Sequence, residues 1–251
     1  MPKTSGEQPL LIFLKEPRAG TVKTRLAQAV GPHAACEIYR ACVELTLERL
    51  RRFCDNTILC VDPPHALDAV RVWVGAAWTL RPQRGQTLGD RLAEATAHAF
   101  AQGDRRLVVI GTDSPWLQPP KVEQAFAALE RHDVVIGPAE DGGYYLIGLS
   151  RAVPALFDGM AWGTDAVLAQ TMARARALGL RSHPLPLGYD VDRLEDLERF
   201  MAEERADGRS TRQLNRMEQL LQRSVHSRES TVQRAACAVE RGPRRRGGAN
   251  A

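Results

Sequence analysis

The chain has 251 residues, 44% apolar and 25% charged, which excludes a disordered polymer or a fibre and allows one large domain with its own core. Its net charge of +4 gathers beyond Gly208, where Arg209, Arg212, Arg216, Arg223, Arg228, Arg234 and Arg244 to Arg246 outnumber Glu218, Glu229 and Glu240; no aromatic residue interleaves them to stack on bases, so nucleic acid is a poor fit as partner. Five cysteines without C-x-x-C spacing exclude a disulfide frame or zinc site, and the first apolar run is too short for a signal or membrane span, so a cytoplasmic protein is expected.

In chain order, residues 1–9 are polar and expected to be flexible. Short apolar runs at 10–14, 57–61, 107–110, 134–136 and 145–149 read as buried strands. Helix-period stretches separate them: 23–53 with a break at Gly31-Pro32, 88–101, 164–178 up to Gly179, and a helix from Arg193 that ends at Asp207-Gly208. This rhythm predicts βαβ units, hence a single α/β domain with a mostly parallel sheet flanked by helices. The domain is expected to span 10–207, leaving 208–251 as a basic, partly disordered tail. Within that tail Leu214, Met217, Leu220 and Leu221 form a stripe that suits either docking on the domain or a homodimer contact.

Four motifs carry chemistry. Lys15-Glu16-Pro17-Arg18-Ala19-Gly20-Thr21-Val22-Lys23-Thr24-Arg25 follows the first strand and opens a helix, the place where such sheets bind phosphate. It lacks Walker spacing, but Gly20 permits close backbone approach and Lys15, Lys23 and Arg25 supply charge. In Gly111-Thr112-Asp113-Ser114-Pro115 a strand end delivers one carboxylate, and Mg²⁺ or Mn²⁺ needs only one or two together with substrate phosphates. The alternative use of Asp113 is to cap a helix begun at Pro115. Glu140-Asp141-Gly142-Gly143 reads as a hairpin turn that can also floor a sugar or acceptor site, with Asp141 receiving hydroxyl groups. Asp190 and Asp192, two apart, share a face of an extended segment, and either can be a second metal ligand; Asp192 with Glu195 also resembles a helix cap and its capping-box acid. The turns at 83–91 and Trp162-Gly163-Thr164 are helix entrances or ligand contacts.

Taken together and in this order, Lys-x-Pro-x-x-Gly-x-x-Lys-Thr-Arg-Leu, Gly-Thr-Asp-Ser-Pro, Pro-x-x-Asp-Gly-Gly-Tyr-x-Leu-Ile-Gly-Leu and Tyr-Asp-Val-Asp resemble a bacterial glycosyltransferase-A-like family linked to arsenosugar biosynthesis. That family is related to the 2-phospho-lactate and molybdenum-cofactor guanylyltransferases. The resemblance implies a nucleotide-diphospho-sugar transferase fold, with Lys15, Gly20, Lys23, Thr24 and Arg25 near nucleotide and phosphates. It implies further that Asp113 binds the metal, that Asp190 or Asp192 completes the site, and that Asp141, Gly142 and Gly143 touch sugar or acceptor; on the ligand-contact reading of their turn, Trp162 and Thr164 join the substrate site. Thr112-Asp113 stands where the usual pattern has Asp-x-Asp, which leaves that metal site thinner. The function expected is metal-dependent glycosyl transfer from a nucleotide sugar to a small acceptor, with Asp113 and Asp141 as catalytic residues. Nucleotidyl transfer from a triphosphate is the close alternative, and a nucleotide-binding module without turnover is a third reading.

Overall fold

The computed structural model describes residues 8–224. Seven strands form one sheet in the order β3-β2-β1-β4-β6-β5-β7. They are β1 (Leu10–Lys15), β2 (Thr57–Asp62), β3 (Thr79–Pro82), β4 (Leu107–Ile110), β5 (Val134–Pro138), β6 (Tyr144–Leu149) and β7 (Ser182–Pro184). The helices are α1 (Thr24–Val30), α2 (Pro32–Arg49), α3 (Leu67–Val74), α4 (Leu88–Ala101), α5 (Pro119–Ala128), α6 (Val167–Ala177) and α7 (Leu194–Ala206), followed by α8 at residues 212–224.

All five expected strands are present, and four of the six pairings are parallel. β6 alone runs the other way, pairing antiparallel with both β4 and β5. Alternation along β1 explains the layering: Leu10, Ile12 and Leu14 pack under α2, α3 and α5, while Leu11 faces α4 and α6 on the other side. The break at Gly31-Pro32 separates α1 from α2, because Gly31 has φ +84° and Pro32 takes the first helical position.

α2 is apolar on two sides. Tyr39, Val43 and Leu47 meet the sheet, and Ile38, Ala41, Cys42 and Leu45 join a third core with Leu197 and Phe200 of α7 and with Leu214 and Met217 of α8. Leu214 is 3% exposed and Met217 fully buried. Around them, Arg216 pairs with Glu37 and Glu44 on α2, and Arg209 pairs with the buried Glu204 at 3.0 Å. The boundary expected at Gly208 therefore falls inside the packed body, which continues to residue 224. The apolar stripe docks on the domain, where Leu214 and Met217 complete the core shared by α1, α2 and α7. The rest of the expected tail, residues 225–251, and most of the expected flexible N-terminus, residues 1–7, lie outside the described residues.

Reversal of β6 matters for the site. Ile110 at the carboxyl end of β4 pairs with Leu146 near the start of β6. The turn at residues 139–143 is thereby carried to the edge where β1 ends at Lys15 and β4 runs into Asp113.

Candidate functional site

At that edge lies a crevice of about 740 Å³, lined among others by Lys15, Lys23, Arg25, Asp113, Asp141 and Asp190. This is a volume typical of nucleotide-sized ligands. Tyr39 of α2 organises the end of β1: its hydroxyl accepts from the Lys15 N–H at 2.8 Å and donates to the Lys15 carbonyl at 3.1 Å. Thr112 donates to the same hydroxyl at 3.4 Å, so one buried phenol ties the ends of β1 and β4 together.

Asp113 does not cap a helix at Pro115. The next helix, α5, starts at Pro119, and the Asp113 carboxylate instead pairs with the Lys23 ammonium. Burial in the crevice wall pushes the Asp113 carboxyl up, but the Lys23 charge outweighs it and holds the group below the usual carboxylate range. Asp192 accepts from the same ammonium at 3.1 Å and from Arg25 at 3.5 Å. Nor does Asp192 serve as the cap of α7. Asp196 takes that work, receiving the N–H groups of Asp192 and Arg193 at 3.1 and 2.7 Å, which leaves the Asp192 carboxylate free for the crevice.

The segment bearing Asp190 and Asp192 is fixed from both sides. Val191 donates its N–H to the Asp113 carbonyl at 2.8 Å, and Trp116 donates to the Tyr189 carbonyl at 2.6 Å. Trp116 also stacks on Tyr189 and meets Tyr145 edge-on. Only a glycine permits this approach, because a Cβ on Gly188 would stand 2.4 Å from the Trp116 ring.

Asp190 accepts from the Ser114 hydroxyl at 2.6 Å. Burial and then the Asp113 charge push its carboxyl up to about 7, against the opposing influence of Ser114 and Lys23. A folded pKa above the unfolded value of about 3.9 means that the protonated side chain stabilises the fold at low pH, and that this contribution is lost as pH rises through 7. Asp190→Asn keeps the acceptor oxygen without the charge. In chelator-treated buffer it is expected to melt above the wild type at pH 8, the advantage shrinking as pH is lowered toward 4. Circular-dichroism melts across that range check this, and a variant that melts lower at pH 8 contradicts it.

Of the other expected site residues, Thr24, Gly143, Trp162 and Thr164 line the crevice. Asp141 lines it too, although one of its oxygens accepts the Gly143 N–H at 2.9 Å and so shapes its own turn. Gly142 does not line it; its backbone lies against Asp165, which locks the 139–143 turn to the loop before α6. Thr164 bonds the Ala161 carbonyl at 2.7 Å, consistent with a helix entrance. Gly20 stands apart at φ +84° in an exposed turn and does not reach the crevice. Among the crevice residues that escaped the sequence reading as individuals are Tyr39, Gln83 and Arg91. Gln83 is buried and donates to the carbonyls of Leu14 and Cys60 at 3.3 and 2.8 Å, sealing the ends of β1 and β2, while Arg91 pairs with Asp62 at 2.9 Å. The polar turn at 83–91 was a signal for the last two. Tyr39, inside a long amphipathic helix, gave none.

Among the described residues no three His, Cys, Asp or Glu side chains converge to hold a metal by themselves, and no helix is long and apolar enough to cross a membrane.

The chain resembles a candidate nucleotide-diphospho-sugar transferase from Desulfovibrio desulfuricans G20, at 32% identity and a TM-score of 0.80 over 87% of this chain and 98% of that one. It is 26% identical over 192 residues to the phosphoenolpyruvate guanylyltransferase of Chloroflexus aggregans (strain MD-66), covering 73% of this chain and 92% of that protein. A cytidylyltransferase from Leptospira borgpetersenii shares the fold at a TM-score of 0.52 and 11% identity, over 88% of this chain and 96% of that one. A model for a family of uncharacterized proteins conserved in bacteria matches residues 46–164, the stretch that holds Asp113, the Asp141–Gly143 turn and Trp162. With a fold of the nucleotide-diphospho-sugar transferase type and this match, the chain belongs to that bacterial family, DUF2064.

Proposed function

We propose that the protein is a cytoplasmic, metal-dependent transferase that takes a glycosyl group from a nucleotide-diphosphate sugar and passes it to a small acceptor. The observation that carries this reading is the convergence of Asp113 and Asp192 on one cationic centre, beside Lys15 and Arg25, at the carboxyl ends of β1 and β4. The similarity to the candidate nucleotide-diphospho-sugar transferase supports it.

The donor set suits Mg²⁺ or Mn²⁺: the carboxylates of Asp113 and Asp192 hold one cation between them and open on the crevice, 48% and 36% exposed, leaving phosphate oxygens to complete the shell. Asp190, held by Ser114, is the alternative second ligand. When bound, such an ion supplies charge neutralisation for the leaving diphosphate. Lys15 and Arg25 bind the phosphates. Asp141, at the opposite wall with Gly143, Trp162 and Thr164, orients an acceptor hydroxyl. As that oxygen bonds to the anomeric carbon, the bond from carbon to diphosphate breaks and the hydroxyl proton passes to Asp141 or to water.

Lys15→Ala with Arg25→Ala is expected to weaken nucleotide-diphosphate binding at least tenfold, about 1.4 kcal/mol, since charge-assisted contacts are worth that much or more. Both side chains are exposed in the free protein, so the melting temperature should scarcely move. Calorimetric titration together with a thermal melt checks both halves, and normal affinity in the double variant contradicts the phosphate role.

The guanylyltransferase relative favours a second reading, in which the same cations hold a triphosphate and pyrophosphate leaves. Incubation with nucleotide sugars and with nucleoside triphosphates, each with Mn²⁺, separates the two. Slow release of nucleoside diphosphate, with water standing in for the acceptor, is expected. Pyrophosphate release would turn the assignment to nucleotidyl transfer, and nucleotide binding without either product would leave a binding module.

A further inference from the structure

Lys23 is the one non-glycine among the described residues with a left-handed backbone, at φ +48°. Such a conformation is costly for a side chain bearing a Cβ and persists where the surroundings enforce it. Here it turns the chain into α1 while aiming the lysine inward: the side chain is 2% exposed, and its ammonium bonds Asp113 and Asp192 together. With a carboxylate on either side, the lysine is an ammonium paired to both Asp113 and Asp192. Arg25 has 54% of its side chain in solvent and meets the other oxygen of Asp192 at 3.5 Å. The inner cation is therefore Lys23, and it occupies the space between the carboxylates that a divalent ion needs.

We propose that Lys23 is a tethered cation that stoppers the Asp113–Asp192 pair in the nucleotide-free protein and yields it to a divalent metal only when a nucleotide's phosphates take over the ammonium. The inference rests on the metal-dependent reading of this crevice. A divalent ion entering beside the resident ammonium meets like charge at contact distance, which opposes binding. A diphosphate reverses this: it offers the ammonium a new anionic partner within the same crevice and offers the metal further oxygens. Metal and nucleotide thus raise each other's affinity by the same factor, and the carboxylates do not take up metal when no nucleotide is present.

Electron paramagnetic resonance of Mn²⁺ alone, without nucleotide, tests this on wild type, Lys23→Gln and the double variant Lys23→Gln/Asp113→Asn. Lys23→Gln is expected to bind Mn²⁺ at least tenfold more tightly than wild type, and the double variant to lose the gain. Because Lys23→Gln removes a buried countercharge and lowers stability, thermal melts give a second readout: Mn²⁺ should raise the melting temperature of Lys23→Gln and leave wild type unmoved. Equal Mn²⁺ affinities for wild type and Lys23→Gln, or tight Mn²⁺ binding by wild type alone, would overturn the inference. Neither result depends on turnover, so a failed stopper is distinguishable from a failed assignment of function, which the product assay reports.

Discussion

A protein cut after Gly208 is expected to lose on the order of 4 kcal/mol of stability, and with it about 10 °C in melting temperature. The deletion removes Leu214 and Met217 from the core they share with Leu26, Ile38 and Phe200, and burial of each such side chain contributes roughly 1.5–3 kcal/mol. It also takes Arg209 away from Glu204, which is 2% exposed and pairs with Arg49 beneath it. Breaking part of a buried charge network costs more than its exposed members suggest. Against a total stability of roughly 5–15 kcal/mol for a domain, a loss of this size puts folding at risk. The melt of the truncated protein followed by circular dichroism checks the figure. An unchanged transition would mean that α8 merely rests on the surface.

Much of the fold was legible because periodicity reports burial. The continuous apolar runs of β1, β4 and β5 are buried on both faces, and α4 was bounded correctly at Leu88–Ala101, where Thr87 and Asp90 form a capping box. α3 and α5 also went unread, and the unread strands carry weaker signals. β3 is a four-residue edge strand ending in proline, and β7 has three residues, Ser182 to Pro184, with none fully buried. α8 was visible as a stripe, but where it packs is a property of α2 and α7, which no local pattern in residues 212–224 contains. In the site, sequence placed Asp113, Asp190, Asp192 and the basic loop at one sheet edge through the rule that ligands gather at carboxyl ends of strands. It gave no sign of which charges would meet. That Lys23 turns inward while Arg25 stays in solvent depends on the left-handed backbone at residue 23, and that Asp196 rather than Glu195 caps α7 depends on where the helix starts.

Asp113→Asn is expected to cost at least a hundredfold in turnover, the usual scale when a group that stabilises developing charge in an enclosed site is removed. The variant keeps the shape of the side chain, and the Asp113 carbonyl still receives the Val191 N–H, so the segment carrying Asp190 and Asp192 stays in place. Lys23 retains Asp192 as a partner. The loss should therefore appear in metal-supported nucleotide binding and chemistry, accompanied by a modest drop in melting temperature because the buried Lys23 ammonium loses one of its two carboxylates.

Calorimetric titration of nucleotide into wild type and Asp113→Asn, each with Mn²⁺ and again with chelator, measures this directly. Wild type should bind at least tenfold more tightly with Mn²⁺ than with chelator, and Asp113→Asn should show the same weak affinity in both. Undiminished Mn²⁺-dependent affinity in Asp113→Asn would contradict the assignment of Asp113 as the metal anchor of a nucleotide transferase.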